Sequence, residues 1–597
     1  MKIVNISLML VLSFAAAVSA QVAPTIVSVT PAQNELGVST ATGISVTFDI
    51  DMNAATINAS SFIVSSMSTG FHEGNIIYDD ITRTASLSPN EPFSGGEMVT
   101  AVLTTDIQSS DGYPLENNFV WSFTIGVPMG IDILIPQVTY PVHQAPVSVC
   151  LADFDGDLHL DIATANEDMA DVSILLNNGD STFASAVNYP VGERPGALAA
   201  ADFDGDGDID LACTSLSFDN VSVILNNGSG VFGSQQGYPV GEYPISILTA
   251  DLDGDGDIDL ATANMMTNDV SVLLNNGDGT FAIRINYYIG DYHLDRILAA
   301  NWQAKLANLE SENKDLFEFL TEYPVGYGPH SVAAGDLDKD GDMDLATANL
   351  SQNTISILFN DGNAVFESGP SYATGLYPSS VCFEDLNGDR NLDLACANMG
   401  INSVSIFIND SSGNLTLLDD FQVGDFPVLV RGADLDGDVD IDIATANSWS
   451  NDVTVLYNDG SGNFPTAWDY DVGGTPFSVF FGDYTGTGAV SLVAVNSASN
   501  DVSVLMNVHG CDYYVPGDYN GSGTFNIVDV MAMHSKLSTG LPDPVFFCDC
   551  DGRVWGVAAD VNNSCSFNIS DVLDGFSFLM TGVPPIAPCG QCLPSHP

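Results

Sequence analysis

The chain has 597 residues, enough for several domains, and its 45% hydrophobic content excludes disorder as the source of its charge. That charge is −65, from 77 Asp and Glu against 12 Lys and Arg. Such a surface repels nucleic acid and anionic lipid, so neither is an expected partner.

Residues 1–20 read as a secretory signal. Lys2 supplies the charged start, 8–18 the apolar run, and Val18-Ser19-Ala20 a cleavage site before Gln21. No later stretch is apolar for long enough to span a bilayer, so the expectation is a secreted or cell-surface protein. In residues 21–127, alternating strands at 25–29, 44–48, 62–64, 85–87, 99–104 and 120–125 are punctuated by Pro, Gly and Asn. That pattern predicts a β-sandwich. Pro24-Thr25-Ile26-Val27-Ser28-Val29-Thr30-Pro31, Ile44-Ser45-Val46-Thr47-Phe48, Met52, Tyr113-Pro114-Leu115 and Trp121-Ser122-Phe123 resemble the bacterial Ig-like domain of S-layer proteins. The resemblance implies a spacer or stalk.

Residues 128–508 hold an eleven-residue acidic motif seven times, starting at Asp153, Asp202, Asp251, Asp336, Asp385, Asp434 and Asp483. Five of the six intervals are 49 residues and the third is 85. Carboxylates at positions 1, 3, 5 and 9, with Gly between, have the spacing to turn inward around one hard cation, Ca²⁺. The side-chain ligands so predicted are Asp153, Asp155, Asp157 and Asp161; Asp202, Asp204, Asp206 and Asp210; Asp251, Asp253, Asp255 and Asp259; Asp336, Asp338, Asp340 and Asp344; Asp385, Asn387, Asp389 and Asp393; and Asp434, Asp436, Asp438 and Asp442. Position 7, as at Asp208, offers its carbonyl and is expected to face solvent. Leu158 replaces the usual Gly in the first loop, and Asn387 lowers the charge of the fifth. The seventh loop, with Thr485, Thr487 and Ser491, has lost its carboxylates after Asp483 and is expected to be empty. Carboxylates about 4 Å apart repel by roughly 1 kcal/mol per pair even in water, so calcium reads as a folding cofactor.

One unit, 238–286, parses as strands at 245–250, 258–263, 270–275 and 280–285, the content of one propeller blade. Seven loops predict seven blades. The last unit lacks a fourth strand, and 131–138 is a spare strand that closes the ring. Within the long interval, 287–322 begins like a blade at Tyr287-Tyr288-Ile289-Gly290. It then becomes helical in pattern over 293–320, with Leu294, Leu298, Trp302, Leu306, Leu309, Leu316 and Leu320 at three-, four- or seven-residue steps. The readings open are a decayed eighth blade, a lid or partner helix, and a local sequence error. The DxDGDGxxD cores resemble the FG-GAP/VCBS family, whose integrin-type members are seven-bladed propellers with calcium loops in several blades. The resemblance implies the same here.

Cys382 and Cys396 flank the fifth loop as either a disulfide or two buried thiols, while Cys150 and Cys213 lie in different blades. His143 and His330 are placed in inter-blade turns at the surface. The chain has no HExxH, Gly-x-Ser-x-Gly elbow or phosphate-binding Gly loop.

Residues 511–597 carry two further loops, with oxygen ligands at Asp518, Asn520, Ser522, Asn526 and Asp529, and at Asp560, Asn562, Ser564, Asn568 and Asp571. Each runs into a predicted helix, 527–537 and 569–580. The pair resembles a type I dockerin, with Ser522 and Ser564 standing where that family has Asp. The resemblance implies a small α-helical calcium-binding domain with a cohesin-like partner. Cys511, Cys548, Cys550, Cys565, Cys589 and Cys592 read as disulfides, although Cys589-Gly-Gln-Cys592 also has zinc spacing. The functional expectation is a calcium-stabilised, non-enzymatic binding or adhesion protein whose propeller meets a protein or glycan. The alternatives are a dockerin-borne carbohydrate-active enzyme of polysaccharide degradation and a structural envelope component.

Overall fold

The computed structural model describes residues 23–66, 69–115, 118–127, 134, 138–180, 182–282, 323–484 and 488–507. The expected signal 1–20, the insert 287–322, the dockerin-like segment 511–597 with its loops, helices and six cysteines, and Thr485 and Thr487 lie outside the described residues. Among the described residues the only helical element is the 3₁₀ turn Ala54–Thr56, so these residues are almost wholly β.

The N-terminal segment folds as two sheets packed face to face. One orders strands Ile26–Thr30, Ile44–Phe48, Thr84–Pro89 and Gly74–Asp79. The other orders Glu35–Val38, Phe119–Ile125, Met98–Leu103, Phe62–Ser66 and Gly70–Phe71. Period-two alternation sets the faces: Ile44, Val46 and Phe48 point into a core with Phe62, Trp121 and Phe123. The sequence reading missed Glu35–Val38, Gly70–Phe71 and Gly74–Asp79, which have few residues in the core.

The following residues form seven four-stranded antiparallel sheets. Their innermost strands are Pro146–Ala152, Pro195–Ala201, Pro244–Ala250, Pro329–Gly335, Pro378–Glu384, Pro427–Ala433 and Pro476–Gly482, for blades 1 to 7 in order. Each touches the next, and the last touches the first, so the ring is closed. Every one opens on Pro, which has no N–H to give and suits the first residue of a strand. The second strands, such as Asp259–Asn264 of blade 3, are buried at every residue. Their two faces differ in size. Ala261 and Ala263 meet Val332 and Leu345 of blade 4, while Leu260 meets Ala199 and Ala201 of blade 2. Small residues against large ones let neighbouring sheets approach closely, and the core is a succession of inter-blade cores.

Two strand assignments need correction. The Tyr-Pro segments that seem to begin each unit are the outermost strand of the preceding blade, as in Val187–Pro190 and Gln236–Pro239. In the longest examples, Phe366–Ala373 and Leu415–Gln422, the outer strand runs from the expected fourth strand through to this segment. In blade 3, Asn275 bridges Phe281 and the strand ends at Tyr323–Pro324, on either side of the insert. Ring closure uses Val138–Pro141 against Asp501–Val504 with a bridge from Leu134 to Asn507, slightly beyond the 131–138 expected.

The sandwich lies across the face that carries the acidic loops. Asn34 Nδ2 donates to Arg390 O of the fifth loop at 3.3 Å. A Cβ on Gly37 would stand 2.8 Å from Val439 of the sixth loop, and one on Gly256 of the third loop 3.1 Å from Ile63. Gly70 faces Ile209 of the second loop, and Gly95 and Gly96 face Gly488 and Val490 of the seventh. Contacts to blades 2 and 3 on one side and 5, 6 and 7 on the other carry the sandwich over the ring axis.

Candidate metal centres

Each acidic loop joins an inner strand to a second strand and is built by its own side chains. In the second loop, Asp202 Oδ1 accepts Gly205 N and Oδ2 accepts Gly207 N, both at 2.8 Å. Asp251 makes the same pair with Gly254 at 2.7 Å and Gly256 at 3.0 Å. Position 6 is left-handed throughout: Gly fills it at Gly207, Gly256 and Gly341, whereas Leu158, Arg390 and Val439 occupy it at φ of 69°, 66° and 82°.

Position 9 does two things. Asp210 Oδ2 accepts Phe203 N at 3.0 Å and Oδ1 accepts Asn226 N at 2.7 Å, tying the loop to the end of the third strand. Asp161, Asp259, Asp344, Asp393 and Asp442 repeat both bonds. The Asn at that strand end is a second device that the sequence reading missed. Asn226 Nδ2 donates to Phe154 O in the loop of blade 1 at 2.8 Å and to Ile209 O at 3.0 Å. Asn275, Asn360, Asn409, Asn458 and Asn507 each reach the preceding blade's loop, and Asn177 reaches Tyr484 O, so the latch closes the whole circle. The signal was an Asn 16 residues after position 9 in every unit.

Three carboxylates gather with ligand oxygens within 4.8 Å in five loops: Asp153, Asp155 and Asp161; Asp202, Asp204 and Asp206; Asp251, Asp253 and Asp255; Asp336, Asp338 and Asp340; Asp434, Asp436 and Asp442. Asp157, Asp210, Asp259, Asp344 and Asp438 lie outside these triads, as do Asp385, Asp389 and Asp393 with Asn387. Asp157 instead accepts His159 N at 2.9 Å. Position 7 is partly exposed, and its side chain also packs inward. The Asp208, Asp257, Asp342 and Asp440 carboxylates press on Gly228, Gly277, Gly362 and Gly460 of the turn after the third strand. A Cβ on Gly228 would stand 2.5 Å from Asp208.

Burial, then neighbouring carboxylates, pushes Asp251 up to about 7 and Asp253 to about 6. Asp336 rises to about 7 for the same reasons, and burial lifts Asp442 to about 9 against two backbone N–H donors. Asp155 Oδ1 and Asp336 Oδ1 are buried with no hydrogen-bond partner. Crowded, desolvated carboxylates with orphan oxygens and no soft ligand among them fit a hard divalent cation.

Elsewhere, Cys150, Cys213, Cys382 and Cys396 are free thiols. Cys382 sits opposite Ala395 and Cys396 opposite Val381, which puts the two on opposite faces of one sheet. His143 meets Asp171 at 2.7 Å near the surface as expected. His330 is instead an innermost-strand residue whose Nδ1 meets Ser379 O at 2.7 Å.

Residues 20–125 match the family described as bacterial Ig-like domain. Residues 153–213, 202–262 and 336–396 match the FG-GAP-like repeat. The chain carries both. A search of curated proteins gives no match. Similar solved structures include virginiamycin B lyase from Staphylococcus aureus, at 11% identity and TM-score 0.40, covering 62% of this chain and 99% of that one. A complex of BBS1N with ARL6DN has 12% identity and TM-score 0.41, covering 65% of this chain and 98% of that one. A putative 6-phosphogluconolactonase from Bacteroides uniformis has 17% identity and TM-score 0.34, covering 62% and 98%. At such values none bears on activity. No helix among the described residues is long and apolar enough to cross a membrane.

Proposed function

We propose that this is an exported, calcium-stabilised binding protein whose propeller meets a protein or glycan through the face opposite the acidic loops. The observation that carries the reading is the sandwich seated on the loop face, which leaves the opposite face uncovered by any other described segment. That face is rimmed by exposed aromatic and apolar side chains. Trp449 is 71% exposed and stacks on Phe426 at 4.3 Å. Exposed Met266 holds the equivalent turn of blade 3, and exposed Tyr327 and Tyr377 precede the innermost strands of blades 4 and 5 on the same face. Tyr243, Tyr377 and Phe426 are held at φ of 60°, 55° and 62°, a conformation costing about 1–2 kcal/mol for a residue with a Cβ. Planar aromatic faces suit sugar rings or the apolar anchors of a protein partner.

Calcium in the five triads holds the loops, and the C-terminal segment docks a cohesin-like partner. A glycan array and a surface-protein pull-down with the calcium-loaded protein test the reading. Binding that Trp449→Ala weakens at least tenfold supports it, and binding that this change leaves intact contradicts it. Release of reducing ends from a bound polysaccharide would instead establish the carbohydrate-active alternative.

A further inference from the structure

The innermost strands enclose a bore along the ring axis. Leu248, Ala334, Cys382, Arg431 and Phe480 lie on those strands, ringed by the other blades, yet each remains partly exposed. From that partial exposure we infer a passage along the ring axis. The sandwich spans its loop-face end, so the way in is from the opposite face.

Arg431 projects into this bore from blade 6. Its guanidinium carbon lies 4.2 Å from the ring centre of Phe480 on blade 7. It is also within electrostatic reach of Cys382 and Glu384 on blade 5 and of Cys150 on blade 1. A group that senses blades on both sides, one of them two blades away, points towards the axis. Its Nε is shielded from solvent and has no hydrogen-bond partner. No carboxylate oxygen comes within 4.0 Å of it among the described residues, whereas Arg83 and Arg194 at the surface pair with Asp51 and Glu167. Glu384 occupies the same wall one step towards the loops, its side chain against Gly432.

Glu384 offsets part of this charge without a direct ion pair, so the half-buried guanidinium is only partly compensated by the described residues, in a chain with 12 basic residues. Its planar fork matches a carboxylate, and Phe480 supplies an apolar wall beside it. Glu384, raised to about 7 by burial, disfavours a dianion when ionised and then accepts a hydrogen bond from a ligand hydroxyl or ammonium. We propose that the bore binds a small monoanionic carboxylate that also carries a hydroxyl or amino group, with its carboxylate on Arg431 and its donor towards Glu384. The site opens on the same face as the proposed partner-binding rim but uses none of the rim residues.

The test is isothermal titration of the full-length, calcium-loaded protein with glycolate, glycine and glucuronate, with chloride and inorganic phosphate as controls at matched ionic strength. One or more of the three carboxylates is expected to bind one-to-one. Arg431→Met should weaken that binding at least tenfold, and Arg431→Lys, which keeps the charge but loses the fork, should weaken it less. Melting curves in calcium establish that each variant is folded, and Arg431→Lys carries the test if Arg431→Met is not. The proposal is overturned if no carboxylate binds above chloride, if phosphate binds more tightly than all three, or if every folded Arg431 variant binds as the unaltered protein does.

Discussion

Asp at position 9 shows how one side chain serves both fold and site. Both oxygens of Asp210 already accept backbone N–H groups, so its loss does not resemble the loss of a ligand alone. Asp210→Asn replaces one acceptor with a donor facing a donor. It should destabilise the propeller by about 2 kcal/mol with chelator present. Asp206→Asn should lower stability in calcium but raise it slightly with chelator, because it removes a repelling carboxylate beside Asp202 and Asp204 while its bond to Asp208 N survives in an amide oxygen. Urea unfolding with and without chelator separates the two. His72 in the sandwich gives a pH prediction. Burial against Phe93 lowers it from 6.5 to about 4, beside Thr69 and Glu97. The folded state therefore resists its protonation. The stability it contributes is complete above pH 6.5 and is lost as pH falls towards 4, by up to about 3 kcal/mol. Acid unfolding of the sandwich should show that slope, and His72→Gln should flatten it. The acidic motif was legible at this scale because its residues are neighbours in sequence. The split of the second, third and fourth loops into a metal-facing triad and a structural clamp was not, since the clamp's partner lies 16 residues away at the end of another strand.

Among the elements, the Asn latch joins each blade to the one before it. Asn275→Ala removes bonds to Phe203 O, which still accepts Gly279 N, and to the part-buried Ile258 O. A loss of about 2 kcal/mol is expected, read from the urea midpoint, and Asn226→Ala should cost a similar amount because its bonds are equivalent. Strand 44–48 was read with its true bounds because alternation of Ile, Val and Phe with Ser and Thr is itself the signal. The outer strands were misassigned because Tyr-Pro ahead of Val-Gly looks like punctuation. Pro is tolerated there because an outer strand has one edge with no partner to receive an N–H.

At the scale of the molecule, the proposed calcium would bind the native ring and not the unfolded chain. With ~1 mM ion and an assumed ~0.1 mM dissociation constant, each loop adds about 1.4 kcal/mol, or about 7 kcal/mol over the five triads. Chelation should lower the melting temperature by roughly 10 °C or more, and atomic absorption should find several ions per folded chain. No shift and no bound metal would remove calcium from this account. The sequence by itself determined the number of blades and the position of every acidic loop, because each is written in one 49-residue unit and repeated. Only the tertiary structure decided which strand belongs to which blade, which face the sandwich covers and where Arg431 points. Those depend on ring closure, which sets Leu134 against Asn507 and Asn177 against Tyr484. Local periodicity carries no record of such distant pairs, and identical units leave their neighbours interchangeable until the circle is complete.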